Sequence, residues 1–312
     1  MLFRIGSITV TKIPELSLEA VSPSGLLPNA DEHEVRQAVL ALDTVAVDSG
    51  DGTLRQSIHS WLIQTSDRVI LLDTATGNDK DRPTMPILHH LREPFIERLR
   101  GVGISADQIT DVLITHIHAD HVGWNTYLRE GKWLPTFPNA KYYFSGLEAD
   151  YSAALAVGDK AKVDRLLADA GLGIPHHPPA PGVYDDSIAP VIKAGLAKRI
   201  TVDGPEPIPG FRYIGTPGHS IDHASIFLEH DGKKALFWGD VLHHPVQLAN
   251  LNWNSVFCEF PGSAQVARRK ALDIAADTGA LVFTTHFPGT SAGRVKRDGL
   301  NYRWLPENGD PQ

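Results

Sequence analysis

The run Thr115-His116-Ile117-His118-Ala119-Asp120-His121-Val122-Gly123 places three histidines and one aspartate within six positions, directly behind an apolar stretch. Neutral imidazole and carboxylate are ligands for zinc and similar divalent ions, and a metal site needs several of them to converge on one point. One residue apart in an extended or looping segment, His116 and His118 face the same side. Asp120 and His121 follow after a bend and can serve a second ion. Histidine-rich stretches also occur as solvated loops, but here donors of the same kind recur later, in Thr216-Pro217-Gly218-His219, Gly239-Asp240 and Thr285-His286. The pattern points to metal chemistry, and the donors suffice for two ions.

Each donor segment lies just past a strand-like run, where α/β folds commonly place ligands. The run Asp111-Val112-Leu113-Ile114-Thr115 reads as a buried strand before the first motif. Phe211-Arg212-Tyr213-Ile214, Lys234-Ala235-Leu236-Phe237-Trp238 and Ala280-Leu281-Val282-Phe283-Thr284 precede the later three, with a further strand at 224–228. Upstream, residues 3–13 alternate like one strand, residues 31–42 suit a short helix with Asp31 near its N-cap, and 58–63 with 68–73 read as a hairpin. Pro83 to Arg100 has near-helical apolar spacing broken by Pro86 and Pro94, which predicts helical pieces over a cleft. Ser105 to Gln108 suits a capped turn. Residues 146–172 read as largely helical, Gly173 to Gly182 as a proline-rich loop, and Ser263 to Thr278 as a helix capped by Ser263.

The chain has 312 residues, a formal net charge of −8 and one cysteine, Cys258. Its acidic balance, without a Lys/Arg cluster, argues against nucleic acid as a partner, because phosphate backbones require concentrated basic surface. One cysteine excludes an internal disulfide framework and a cysteine-based zinc site. The N-terminus lacks the pattern of a signal peptide, and no run approaches the roughly 20 apolar residues that span a bilayer. A cytoplasmic protein without a membrane partner is the expectation.

The H-x-H-x-D-H motif at 116–121, the Gly-His at 218–219, the Gly-Asp at 239–240 and the final His286 resemble, in order and type, the metallo-β-lactamase-fold hydrolases. The resemblance extends over most of the chain. It implies an α/β fold, an αβ/βα four-layer sandwich of two mixed β-sheets with helices outside, with residues 1–312 as one domain. It implies two divalent ions, zinc or alternatively manganese, iron or cobalt: His116, His118 and His219 at one, Asp120, His121 and His286 at the other, and Asp240 bridging. Asp73 matches the family's early aspartate, which supports the metal loop.

An aspartate at 240 is shared with lactonases, glyoxalase II, organophosphate hydrolases and RNase Z, whereas true β-lactamases place cysteine or serine there. Thr216-Pro217-Gly218-His219-Ser220-Ile221-Asp222-His223 is similar to a segment of quorum-quenching lactonases and methyl-parathion-hydrolase-like enzymes, departing from it at Ile221 and Asp222. The implied activity is hydrolysis of a lactone or small ester, with N-acyl homoserine lactone as the leading substrate. A phosphotriesterase or arylesterase is the alternative, ahead of a glyoxalase II-type thioesterase or a β-lactamase. The expected nucleophile is a hydroxide bridging two ions, with Asp120 as ligand and proton shuttle. Trp124, Trp253, Phe257 and Phe287 are the candidates to line a substrate pocket. His223 and His244 are the candidates to orient ligands, with His243 beside the latter. His33, His59, His89, His90, His176 and His177 fit loops or satisfied polar contacts, and Tyr184 and Tyr302 are possible donors to a substrate carbonyl. A small-molecule substrate and a homodimer complete the expected partners.

Overall fold

The computed structural model describes residues 1–42 and 52–310. The strands are β1 (Leu2–Ile5), β2 (Ile8–Val21), β3 (Leu54–Gln64), β4 (Val69–Leu72), β5 (Asp111–Leu113), β6 (Thr126–Arg129), β7 (Lys132–Pro135), β8 (Lys141–Ser145) and β9 (Ala197–Ile200). They continue as β10 (Phe211–Gly215), β11 (Ala224–His230), β12 (Lys233–Phe237), β13 (Leu281–Phe283), β14 (Ala292–Asp298) and β15 (Asn301–Pro306). Helices are α1 (Pro23–Leu26), α2 (Glu32–Leu40), α3 (Phe95–Gly101), α4 (Ala119–Val122), α5 (Gly146–Ala156), α6 (Lys160–Ala170), α7 (Ala189–Lys193) and α8 (Pro261–Thr278).

Among the described residues, one sheet runs β1-β2-β3-β4-β5-β8-β9 and a second runs β10 to β15 in sequence order, with β6-β7 as a separate hairpin. Both large sheets are mixed. Pairing is antiparallel from β1 to β4 and parallel from β4 through β5 and β8 to β9. In the second sheet only β12 and β13 run parallel.

Side-chain alternation explains how the sheets stack. Trp61, Ile63, Ile70 and Leu72 of the first sheet meet Ile226, Leu228, Ala235, Phe237, Leu281 and Phe283 of the second in one buried layer. The intervening Leu62, Leu71 and Val112 face the other way, onto Phe95 and Leu99 of α3 and Ala149 of α5. Phe227, Leu236 and Val282 likewise turn outward onto Ala271, Leu272 and Ala275 of α8. The result is the expected αβ/βα sandwich.

Local expectations differ in a few places. Residues 3–13 are two strands, because Gly6 and Ser7 turn the chain and Ser7 N donates to Asp231 Oδ2 at 3.1 Å. The Pro83 to Arg100 stretch resolves into a 3₁₀ turn, Pro86–Leu88, and α3. The last long helix begins two residues before Ser263, with Pro261 in its first turn; a proline is tolerated there because its missing N–H would have no helical partner.

Candidate metal centre

Five strands deliver the donor side chains from their C-terminal ends: Asp73 follows β4, His116 to His121 follow β5, His219 follows β10, Asp240 follows β12 and His286 follows β13. Two belong to the first sheet and three to the second, so the centre forms where the sheets meet along one edge. His118 is extended and precedes α4, the single turn that carries Asp120 and His121.

The structure brings the seven expected ligands together. His116, His118 and His219 offer nitrogens within 4.8 Å of one another, as do Asp120, His121 and His286 for their donor atoms. Asp240 lies between the sets. Its Oδ1 is 3.2 Å from His121 Nε2, and its Oδ2 is 3.2 Å from His219 Nε2 and 3.0 Å from His286 Nε2. Asp120 Oδ2 is 3.5 Å from His286 Nε2.

The donor set fits two divalent ions. His116 Nε2, His121 Nε2 and Asp240 Oδ1 are fully buried yet make no hydrogen bond, an expensive state for polar atoms unless a cation takes their lone pairs. His118 Nδ1 and His219 Nε2 face each other at 2.9 Å. Burial holds the basicity of His116 and His219 well below the ordinary imidazole value, which favours the neutral, metal-binding form. Burial alone would raise the Asp240 carboxyl, but His121, His286, His219 and His243 outweigh it and hold it well below the usual carboxylate range. The thiol of Cys258 is pushed up to about 11 by burial, so it stays protonated.

Asp73 sits behind the donor cluster, at the end of β4. His121 Nδ1 donates to its Oδ2 at 2.9 Å, the Thr115 hydroxyl to the same oxygen at 2.8 Å, and Thr115 N to its Oδ1 at 2.8 Å. A carboxylate only accepts, so this contact puts the proton of His121 on Nδ1 and turns Nε2 toward Asp240 and Asp120. Asp73→Ala leaves a buried Thr115 N–H without a partner and frees the His121 ring. The expected result is a loss of about 1–3 kcal/mol in unfolding free energy and roughly 10–100-fold in metal affinity, read by denaturant titration and chelator competition. Unchanged metal affinity would remove this role.

The Asp240 N–H donates to His223 Nε2 at 2.9 Å. The neighbouring Gly239 is required, since it adopts φ +60° and a Cβ there would lie 2.5 Å from His223 Nε2. The His244 side chain accepts from Val246 N at 3.1 Å and caps the 3₁₀ turn Pro245–Leu248. The preceding residue stands in the cluster: His243 Nε2 lies 3.3 Å from Asp240 Oδ2 and its ring stacks on His286.

A cavity opens onto the centre, bounded by His118, Asp120, His219, Asp240, His243 and His286. Its outer wall is Leu18, Ile58, Met85, Ile87, Leu88, Pro178, Pro179, Ala180 and Phe257, with Gln56 and His177 as polar members. Of the four expected pocket residues only Phe257 lies there. Trp124 stacks on Phe95 in the first-sheet core, its indole N–H donating to Glu15 Oε1 at 2.6 Å. Trp253 packs with Leu26, Val35 and Val246, and Phe287 with Trp238 and Trp304 on the α8 side. Large aromatic surface gains most from full burial, and these three reach complete cores.

His177 stands edge-on to Phe257 in the cavity wall, whereas His59 is satisfied within the core by Thr284 O at 2.9 Å. His33 is exposed on α2, and His89 accepts from Arg82 N at 2.9 Å. Tyr302 is spent on Asp273 at 2.5 Å, and neither it nor Tyr184 lines the cavity.

The family model of the Metallo-beta-lactamase superfamily matches residues 54–286. The N-acyl homoserine lactonase AiiB of Agrobacterium fabrum is 30% identical over a segment covering 33% of this chain and 41% of that relative, less than half its length. Ribonuclease Z of Mycobacterium avium is 26% identical over 76% of this chain and 82% of the relative. Among solved structures, hydrolase AbOPH superposes with a TM-score of 0.78 at 24% identity, covering 99% of this chain and 98% of the other. The dizinc quorum-quenching lactonase AidC, solved with a product homoserine, gives a TM-score of 0.76 at 22% identity, covering 99% and 97%. At such identities the structural likeness concerns the fold. The superfamily match spans most of the chain and contains every donor segment from His116 to His286, and the chain accordingly belongs to the metallo-beta-lactamase superfamily of enzymes.

Proposed function

We propose that this protein is a dinuclear metal-dependent hydrolase of a lactone or small neutral ester, with N-acyl homoserine lactones as the preferred class. The observation that carries the reading is the cavity wall. Among its described lining residues none is Lys or Arg, and apart from Gln56 and His177 the outer part is aliphatic, proline or phenylalanine. Such a wall suits an apolar acyl chain and lacks the Lys and Arg side chains that neutralise a phosphate backbone, which sets the reading apart from that of the ribonuclease Z relative. The partial likeness to an N-acyl homoserine lactonase supports the same choice.

His116, His118 and His219 would hold one ion, Asp120, His121 and His286 the other, with Asp240 shared. When bound, two divalent ions supply an activated water near neutral pH and polarise the carbonyl under attack. The chain's own groups do the rest. Leu18, Met85, Leu88 and Phe257 bind the acyl chain and exclude bulk water from the reacting carbon. The Asp120 carboxylate is 19% exposed and faces the cavity, so it can orient the attacking water and hold its proton. His243 borders the cavity with its Nε2 3.3 Å from Asp240 Oδ2 and holds that carboxylate in place. Water adds to the carbonyl carbon, the ester C–O bond breaks, and the proton ends on the released alkoxide.

The test is a screen on metal-quantified protein across acyl homoserine lactones of several chain lengths, aryl esters, paraoxon-type triesters, S-lactoylglutathione and a β-lactam. Lactones are expected to lead. Their kcat/KM should climb by up to about fourfold per added methylene while the wall is being filled, from about 0.8 kcal/mol per buried CH₂. Background lactone turnover beside a strong aryl-ester rate removes the lactone preference, and beside a strong rate on a triester, a thioester or the β-lactam it sinks the proposal.

A further inference from the structure

The three imidazoles of the first donor set are each held from behind by a different group. His116 Nδ1 meets Thr115 Oγ1 at 3.0 Å, and His219 Nδ1 lies 3.9 Å from Cys258 Sγ. His118 is turned the other way round. Its Nε2 lies 3.1 Å from Glu259 Oε1, so its Nδ1 points to the centre and stands 2.9 Å from His219 Nε2.

Glu259 is 0% exposed and occupies the turn before α8. Its second oxygen accepts from the Tyr151 hydroxyl at 3.2 Å. A carboxylate has no proton to give, so the hydrogen in the His118–Glu259 contact belongs on Nε2, which leaves the Nδ1 lone pair facing the centre. The turn is itself clamped to the His219 loop: Glu259 N donates to His219 O at 3.0 Å and Phe260 N to Gly218 O at 2.8 Å. Glu259 O accepts from His176 N at 2.7 Å, next to the cavity-wall segment His177 to Ala180.

We propose that Glu259 is a positioning residue of the metal centre: its carboxylate selects the Nε2–H form of His118 and so presents Nδ1 to an ion shared with His116 and His219. The proposal rests on reading the cluster as a metal centre. Glu259 does not border the cavity, so it acts through His118 and not on substrate. In His-ligated sites such a partner fixes ring orientation and raises ligand basicity.

The test measures zinc binding to the metal-free full chain by competition with a chromophoric chelator, for the native protein, Glu259→Gln, Glu259→Ala and Tyr151→Phe. The native chain is expected to show two binding steps. Glu259→Ala should weaken one of them by roughly 10–100-fold and leave the other in place. Glu259→Gln keeps a carbonyl acceptor and should restore much of that loss. Tyr151→Phe removes only the contact to the far oxygen and should leave both steps unchanged.

Equal weakening of both steps in Tyr151→Phe and Glu259→Ala would mean that Glu259 merely braces the fold, and unchanged steps in a folded Glu259→Ala would end the proposal outright. Should Glu259→Ala not fold, long-range ¹H–¹⁵N spectra of the zinc-loaded native chain decide the matter: Nε2–H on His118 supports it, and Nδ1–H overturns it. A native chain that takes up no zinc removes the metal-centre reading and this inference with it. Two native steps that the Glu259 variants leave untouched remove this inference alone.

Discussion

Asp240→Asn is expected to leave the chain with at most one tightly held ion and to lower kcat/KM by more than about 100-fold, beyond what loss of a supporting partner costs. Asp240 is the residue through which the two donor sets meet: its oxygens lie 3.2 Å from His121 and from His219 and 3.0 Å from His286. An amide preserves the shape of that contact but removes the charge. The surrounding histidines, His121 first, favour the carboxylate form of Asp240 despite its burial, and a neutral amide has no charge to offer two ions. Metal content by elemental analysis after desalting, set beside kcat/KM on the best substrate, checks the prediction. Two retained ions with near-native turnover would show that Asp240 does not join the sets.

Asp120→Asn should separate binding from chemistry. His121 and His286 remain to hold the second ion, so most metal is expected to stay, while kcat falls by about 10²–10⁴, the usual contribution of a positioned acid-base group. KM should move little, because the apolar wall that binds the acyl chain is untouched. Asp120 differs from Asp240 in exposure, 19% against 3%, and that difference is the basis for giving it the proton. Near-native kcat with full metal content would exclude the role. Metal loss as deep as in Asp240→Asn would reduce Asp120 to a ligand only.

The donor set was legible because strand ends and ligand types coincide. A buried run followed by a turn bearing His or Asp recurs at Leu113, Gly215, Phe237 and Phe283, and period-two alternation is a local property of the chain. Elements without an apolar stripe were not legible. The hairpin of β6 and β7 is largely exposed, β14 carries Arg294, Lys296 and Arg297 and β15 is only partly buried, so their pairing depends on neighbours.

The pocket was the hardest part to read. Trp124 follows the metal motif in sequence, yet its ring leaves the centre for Phe95 and Glu15. Met85, Leu88 and Pro178 are remote in sequence and carry no metal-site signature, yet they form the wall. His243 and His244 are identical residues side by side, and backbone direction after Asp240 sends one into the centre and the other to cap a turn.

The amino-acid sequence by itself marked the candidate metal donors, their order along the chain and the strands that precede them, because ligand chemistry and strand periodicity are written locally, while the sandwich followed from the family resemblance of those motifs. Only the tertiary structure decided that Glu259 and His243 join Asp73 and His223 around the donors and that aliphatic and proline side chains remote in sequence make most of the cavity wall. Glu259 reaches His118 across 141 positions, and no local pattern encodes a contact that exists only once two sheets have packed and the α8 turn has closed over their edge.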